Sequence, residues 1–204
     1  SLTPIFPDQL HVEITERLAF IIYDDGSTYT LIDEEGIPQR TLRDVAIHER
    51  QLVTEEVGPA LRSPEGEVGE EAATSTRHFP DVKALQVEYG AYPVVYDQKQ
   101  SGEGSGLLEA AVVQGTIEIH TFLKDNLDFA THHFTYPNEF QTLVVEDTNG
   151  LTISFNPFEN LSEQLETLKT AWRRELRKEK GTKARINARH PGRVYVEEGA
   201  QVED

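Results

Sequence analysis

Residues 142–155 read Thr-Leu-Val-Val-Glu-Asp-Thr-Asn-Gly-Leu-Thr-Ile-Ser-Phe, and this stretch decides the fold class. Two runs rich in β-branched residues flank Asn149-Gly150. Asn-Gly between such runs is the strongest short-range signal for a β-hairpin. We therefore predict two antiparallel strands, Thr142–Glu146 and Leu151–Phe155, joined by a tight turn.

A helix is predicted directly after this hairpin. Apolar residues recur there at the spacing of one helical face: Leu161, Leu165, Leu168 and Trp172. The acids of this segment precede its bases, which suits the helix dipole. We expect the helix to run from Leu161 to about Lys178, with Asn160 as its N-cap and Glu163 completing a capping box.

The C-terminal part predicts two more strands, Lys183–Ala188 and Arg193–Glu197, joined by a turn at residues 190–192. Another strand, at residues 127–136, precedes the hairpin. The segment Leu107–Leu123 has a helical apolar face that includes Gly115, where the missing side chain would permit a close approach.

The N-terminal part adds three strand-like runs. Leu10, Val12 and Ile14 alternate as in a half-buried strand, and Asp25-Gly26 separates the runs 18–23 and 29–32 as a hairpin turn would. The order of elements predicts an α+β class, with a mostly antiparallel sheet and two main helices packed on one face.

The charge is distributed unevenly along the chain. The 204 residues carry 36 acids and 19 bases, a formal net charge of −17, which argues against binding nucleic acid through the whole surface. Residues 173–193, however, hold nine bases and two acids. A basic patch that binds an anionic ligand is therefore one alternative function.

The residues that could carry out catalysis do not occur in the arrangement of a catalytic motif. The chain has no Cys, so disulfides, thiolate zinc sites and a cysteine nucleophile are excluded. Its seven His form no His-Glu-x-x-His motif, and His132 and His133, adjacent in a predicted strand, should point to opposite faces and be unable to share a metal. We expect no enzyme activity, no catalytic residue, no metal and no cofactor. An enzyme alternative would require a cleft in which His132 or His133 lies beside a Glu.

An ordered set of four motifs resembles the bacterial cell-division family FtsQ/DivIB. Residues 7–19, Pro-Asp-Gln-Leu-His-Val-Glu-Ile-Thr-Glu-Arg-Leu-Ala, resemble the end of its POTRA domain, and 31–36, Leu-Ile-Asp-Glu-Glu-Gly, resemble the turn that opens its β domain. Residues 149–153 with the helix to Trp172 resemble its Asn-Gly hairpin and late helix. Residues 186–196, Ile-Asn-Ala-Arg-His-Pro-Gly-Arg-Val-Tyr-Val, resemble its closing strands. Leu18 stands in the region of a family proline, and Asn187-Ala188 replaces Asp-Leu.

The resemblance implies a non-catalytic scaffold of the bacterial divisome, on the extracytoplasmic side of the cytoplasmic membrane at the division septum. Its expected partners are FtsB- and FtsL-like division proteins, with no nucleic acid and no small-molecule substrate. The resemblance also implies a membrane-spanning helix before Ser1, and the absence of an initial Met fits that expectation. A POTRA-type assembly scaffold with another partner is a further alternative.

In the family the partner adds a strand beside the closing strand of the β domain. An unpaired edge at residues 193–197 would offer main-chain groups for this purpose, and basic side chains would attract an acidic partner segment. The predicted partner-binding residues are Trp172, Arg173, Arg177, Arg189, Arg193, Val194, Tyr195, Val196 and Glu197.

The predicted domain organisation follows from the same motifs. Residues 1–24 are the end of a POTRA-like domain and residues 25–197 the β domain. The polar stretch 60–77 is expected to be a flexible loop, and residues 198–204 a tail.

Overall fold

The computed structural model describes residues 2–5, 9–12, 18–54, 74–98, 108–137, 141–179 and 183–197. The strands are β1 (Leu2–Ile5), β2 (Gln9–Val12), β3 (Ile21–Asp24), β4 (Thr28–Ile32), β5 (Pro38–Asp44), β6 (Arg50–Thr54), β7 (Thr74–His78), β8 (Val94–Asp97), β9 (Thr131–Tyr136), β10 (Leu143–Asp147), β11 (Thr152–Phe155), β12 (Arg185–His190) and β13 (Arg193–Glu197). The helices are α1 (Val82–Tyr89), α2 (Ala110–Leu127) and α3 (Leu161–Arg174), with short 3₁₀ turns at Ile47–Glu49 and Leu176–Glu179.

A nine-stranded sheet dominates the fold, in the order β13-β12-β11-β10-β9-β8-β3-β4-β5. Within this sheet, neighbouring strands pair antiparallel except at β11–β12, β9–β8 and β8–β3, where they are parallel. The predicted α+β class with a mostly antiparallel sheet is therefore confirmed. The predicted hairpin of β10 and β11 is also present, with Val145 opposite Ile153.

Two hydrophobic cores hold the helices to the sheet. The larger core joins α2 and α3 to alternate strand residues such as Phe134, Val145 and Ile186, all buried. The smaller core joins Val82 and Leu85 of α1 to strand residues on the opposite face of the sheet, including Ile22 and Val94. The sequence did not predict α1.

Gly115 on α2 is the close approach that the sequence predicts. A Cβ atom at this position would lie 2.7 Å from Cβ of Pro157 in the turn before α3. Because the proline ring cannot rotate away, only a residue without a side chain lets the two segments pack at this distance. This close packing accounts for a glycine inside the helix despite its low helix propensity.

Three local predictions are corrected. Asn160 precedes α3 but adopts a left-handed conformation (φ 51°) and makes no side-chain cap hydrogen bond, so the predicted capping box is wrong. The α-helix ends at Arg174 and a 3₁₀ turn takes over to Glu179. In the predicted loop 60–77, residues 74–77 belong to β7, which pairs with β6. Residues 60–73 lie outside the described residues, as does the tail 198–204.

The predicted domain boundary at residue 24 falls at the end of β3. β3 lies inside the large sheet, hydrogen-bonded to β4 on one side and to β8 on the other. It therefore belongs with residues 25–197. The hairpin of β1 and β2 forms a separate two-stranded sheet within the range that resembles the POTRA end.

Candidate functional site

β13 is the outermost strand of the large sheet at one end. Residues 185–187 of β12 pair regularly with 197–195 of β13, and a register shift follows near the turn. Beyond β13 no further strand is paired among the residues that the structure describes. Its outer main-chain groups therefore form a free edge.

Exposed apolar side chains lie along this edge. Tyr195 is 49% exposed and Val196 is 41% exposed, and both belong to the few large apolar residues that the described surface displays. Val194 is half-buried and packs against the larger core. An exposed edge strand with apolar side chains is a site where another chain adds a strand.

The opposite edge of the sheet has a different character. β5 begins with Pro38, and its pairing with β4 shifts register twice, at Tyr29/Thr30 and at Leu31/Ile32. Proline and bulges are features that protect an edge strand from pairing with other chains. Of the two edges, β13 is therefore the one suited to strand addition.

A groove runs between β13 and α3. Its lining is made of small side chains, Thr167, Thr170, Ala171, Gly192 and Val194, with Arg174 and three Glu. The volume is about 530 Å³. Alternate side chains of a strand added at β13 would point toward this groove, because side chains alternate between the two faces of a sheet.

Five of the arginines in residues 173–193 line three different grooves. Arg173 and Arg177 line a polar cleft with the end of α2, and Arg174 lines the groove beside β13. Arg185 and Arg189 alternate with the buried Ile186 along β12. They line a groove on the other face of the sheet. Attraction of an acidic partner by these basic side chains therefore stays a prediction.

The other predicted partner-binding residues differ in their surroundings. Arg189 donates from Nη1 to Thr142 Oγ1 (2.9 Å) and from Nε to Asn187 Oδ1 (3.2 Å), which fixes its guanidinium. Glu197 lies opposite Arg185, and Arg193, which is exposed, lies opposite His190.

Trp172 is a core residue. Only 3% of it is exposed, and its ring lies edge-on to Phe129 with 6.1 Å between centroids. It also lines the wall of the cleft with Arg173 and Arg177. Trp172 is one of the predicted partner-binding residues, and its burial in the core is the reason to expect that it packs the fold rather than contacts a partner.

The histidine pair on β9 departs from the sequence prediction. Glu146 pairs with His133 and Asp147 pairs with Thr131, so His132 is an extra residue in a bulge. The Nδ1 atoms of His132 and His133 lie 2.8 Å apart, and the expectation that the two rings point to opposite faces is wrong. No group of three or more His, Asp or Glu able to hold a metal occurs in the described ranges.

The groove on the open sheet face contains part of what the enzyme alternative requires. His133 and Glu146, opposite each other on β9 and β10, both line it, and its volume is about 690 Å³. His133 is buried, with 4% exposed. A histidine beside a glutamate in a groove is the first element of an acid–base site.

A buried polar cluster that the sequence did not predict surrounds Glu49, which directly precedes β6, and His78, which ends β7 at the same end of the strand pair. Glu49 is 1% exposed and receives two hydrogen bonds of 2.8 Å from the guanidinium of Arg43. It also accepts from the Tyr29 hydroxyl (3.0 Å) and from the backbone N–H groups of Ala46 (2.7 Å) and Asp81 (3.0 Å). Burial by itself would raise the pKa of Glu49, but these donors lower it to about 2.

His78, the last residue of β7, completes the cluster. Its Nε2 contacts the buried carboxylate of Asp24 and lies 3.4 Å from the Tyr29 hydroxyl. Burial raises the pKa of Asp24, and the hydrogen bond with His78 opposes that rise. These contacts join β3, β4, β5 and the N-cap of α1 to the base of the hairpin, which indicates an anchoring role.

Neither a family model nor a curated protein sequence matches the chain. None of the helices within the described ranges has the length and apolar character needed to cross a membrane.

Proposed function

We propose that this chain is a non-catalytic binding scaffold whose partner adds a β-strand to the outer edge of β13. The observation that carries the proposal is the free edge of β13 with Tyr195 and Val196 exposed on it. Main-chain hydrogen bonds would supply affinity, and alternate side chains would supply specificity.

The resemblance to FtsQ/DivIB suggests which partners bind and where in the cell they do so. We propose that the partners are FtsB- and FtsL-like division proteins at the extracytoplasmic face of a bacterial membrane. Three features of the chain support this assignment: the four ordered motifs, the sheet that ends with residues 193–197, and the core that α2 and α3 share. We also propose that α2 and α3 together cover one face of the sheet.

Proline substitutions along β13 test the mechanism. In an antiparallel pair, alternate N–H groups point toward the neighbouring strand and the others point outward. Among Val194→Pro, Tyr195→Pro and Val196→Pro, those that remove an outward N–H should abolish capture of the FtsB- and FtsL-like proteins while the melting temperature is retained. Those that remove an inward N–H should lower the melting temperature.

Thr41→Pro on β5 is the matched control, because it places a proline on the other edge of the same sheet. It should leave capture unchanged. Capture of the partners by all three β13 variants would contradict strand addition. Capture of a different assembly partner, lost in the same variants, would favour the general POTRA-type scaffold instead of the divisome assignment.

Acid–base chemistry in the open-face groove is a second candidate, favoured by the position of His133 opposite Glu146. We rank it below strand addition because the edge of β13 requires only an extended chain, whereas the groove requires a substrate. The scattered positions of the arginines give no support to an anionic-ligand binder that uses them together.

A further inference from the structure

We propose that a groove along α2 is a second docking site, and that its occupant is a basic amphipathic helix of a partner protein. The groove has a volume of about 530 Å³. It is lined by Phe20, Glu34, Gln114, Ile117, Glu118, Thr121, Phe122, Asp125 and Asn126.

The floor of this α2 groove is apolar and fixed. Phe20, Ile117 and Phe122 are partly buried and pack against the larger core, so their exposed surfaces are held in place from below. Leu18, two residues before Phe20, is 63% exposed. An apolar surface that is backed by the core and open to solvent is the kind of surface on which a partner side chain is desolvated.

The length of the groove matches a helix. Seven of its lining residues lie on α2, from Gln114 to Asn126, at successive spacings of three, one, three, one, three and one. This pattern defines one stripe that extends for about 18 Å along the helix axis. A second helix lying beside α2 would pack its ridges against this stripe over about three turns.

The charge of the rim selects a basic occupant. The charged residues that line the groove are Glu34, Glu118 and Asp125, all acidic. Lys169 lies near the groove, with its Nζ 5.6 Å from the ring centre of Phe122. This Nζ pairs with Glu166 Oε1 at 3.2 Å, and that carboxylate offsets its charge. Lys and Arg side chains flanking an apolar face would therefore meet complementary charge on this rim, which favours association and orientation.

The site is independent of the β13 edge, because the lining of the α2 groove shares no residue with that strand. The two proposals can therefore fail separately. A partner lost only on substitution of β13 and a peptide lost only on substitution of the α2 groove would be distinct interactions.

The probe for this site is a fluorescein-labelled helical peptide of 18 residues with Leu on one face and Lys on the other. Fluorescence anisotropy should show saturable binding to the wild-type chain at about 0.15 M salt, where long-range attraction is screened. Glu118→Gln combined with Asp125→Asn should weaken binding at least about threefold, since each exposed ion pair contributes modestly.

The control variant removes the same charge elsewhere, on exposed residues outside the α2 groove: Glu88→Gln combined with Glu159→Gln. It should bind the peptide as the wild type does. Phe122→Ser, with its melting temperature measured in parallel, should weaken binding through loss of apolar contact. A second peptide with Glu in place of Lys should not bind.

Equal loss of affinity in the groove and control variants would overturn the proposal, because the peptide would then respond only to net charge. Self-association of the chain that the groove variant abolishes would also overturn it, because the occupant would then be a second copy. Binding that falls only in the groove variants would support it.

Discussion

Val196 on β13 lies opposite Ile186 on β12, and the two residues differ sharply in burial: Ile186 is 1% exposed and Val196 is 41% exposed. The row of apolar side chains that includes Ile186 therefore continues onto β13, beyond the part of the sheet that the helices cover. A strand that pairs with β13 would extend the ladder and place its own side chains beside Val196. This relationship is the basis of the proposed scaffold function.

Tyr195 should contribute to partner binding through its exposed ring. It packs edge-on against His190, with 5.8 Å between ring centroids, and is therefore held at the surface without being buried. Tyr195→Ala should weaken partner binding by about 1–2 kcal/mol, since exposed aromatic residues dominate many interfaces. Isothermal titration should detect this loss, while Tyr92→Ala, a change on the α1 side of the sheet, should leave the affinity unchanged.

Gly115→Ala should destabilise the fold even though alanine is the better helix former. The helix would gain roughly 1 kcal/mol, but the new Cβ would lie 2.7 Å from Pro157. Overpacking of this kind costs about 1–3 kcal/mol, so the net free energy of unfolding should fall. Gln114→Ala, on the exposed face of the same helix, is the control and should not lower stability in urea titrations. Higher stability of Gly115→Ala would contradict the close approach.

Glu49 should make stability depend on pH in the acid range. Its pKa falls from 4.5 to about 2 on folding, so the ionised form is favoured in the native state. The stability it contributes is present above the pKa of the unfolded chain and is lost as pH falls from about 5 to about 2, on the order of 3 kcal/mol in total.

The comparison that isolates this effect is between the wild type and Glu49→Gln, by urea unfolding at each pH. The difference in unfolding free energy should be largest at neutral pH and should shrink toward pH 2. The raised pKa of Asp24 acts in the opposite direction and is common to both proteins. A difference that does not change with pH would show that the Glu49 charge does not stabilise the cluster.

Trp172 should report core packing and not partner binding. It is the single tryptophan of the chain and is buried against Phe129. Its emission should be shifted to the blue and weakly quenched by acrylamide, and it should stay so when a partner binds. Trp172→Ala should cost about 3–5 kcal/mol of stability. A large change of emission on partner binding would return Trp172 to the interaction surface.

The C-terminal half of the fold was predictable because its signals are local. Asn149-Gly150 between two apolar runs specifies a hairpin, and the stripe that ends at Trp172 specifies a helix. Residues 193–197 were predicted with the bounds that the structure has. That β13 lies at an edge came from the resemblance, since strand order is set by contacts distant in sequence.

The features that were missed depend on long-range contacts. Glu49 and His78 lie 29 positions apart, and they have partners on β3, β4 and β5 and at the N-cap of α1, so no spacing in the sequence connects them. The bulge at His132 depends on the register with β10, which alternation along one strand does not reveal. The arginines near the C-terminus were close in sequence, but strand alternation and the turn of a helix separated them onto different surfaces.

The measurement that tests the central claim most directly is amide hydrogen exchange by NMR, with and without the FtsB- and FtsL-like partner segments. Strand addition predicts that alternate amides of β13, those pointing outward, become protected at saturation, while amides of β5 exchange as before. Unchanged exchange throughout residues 193–197 with the partner fully bound would contradict the account.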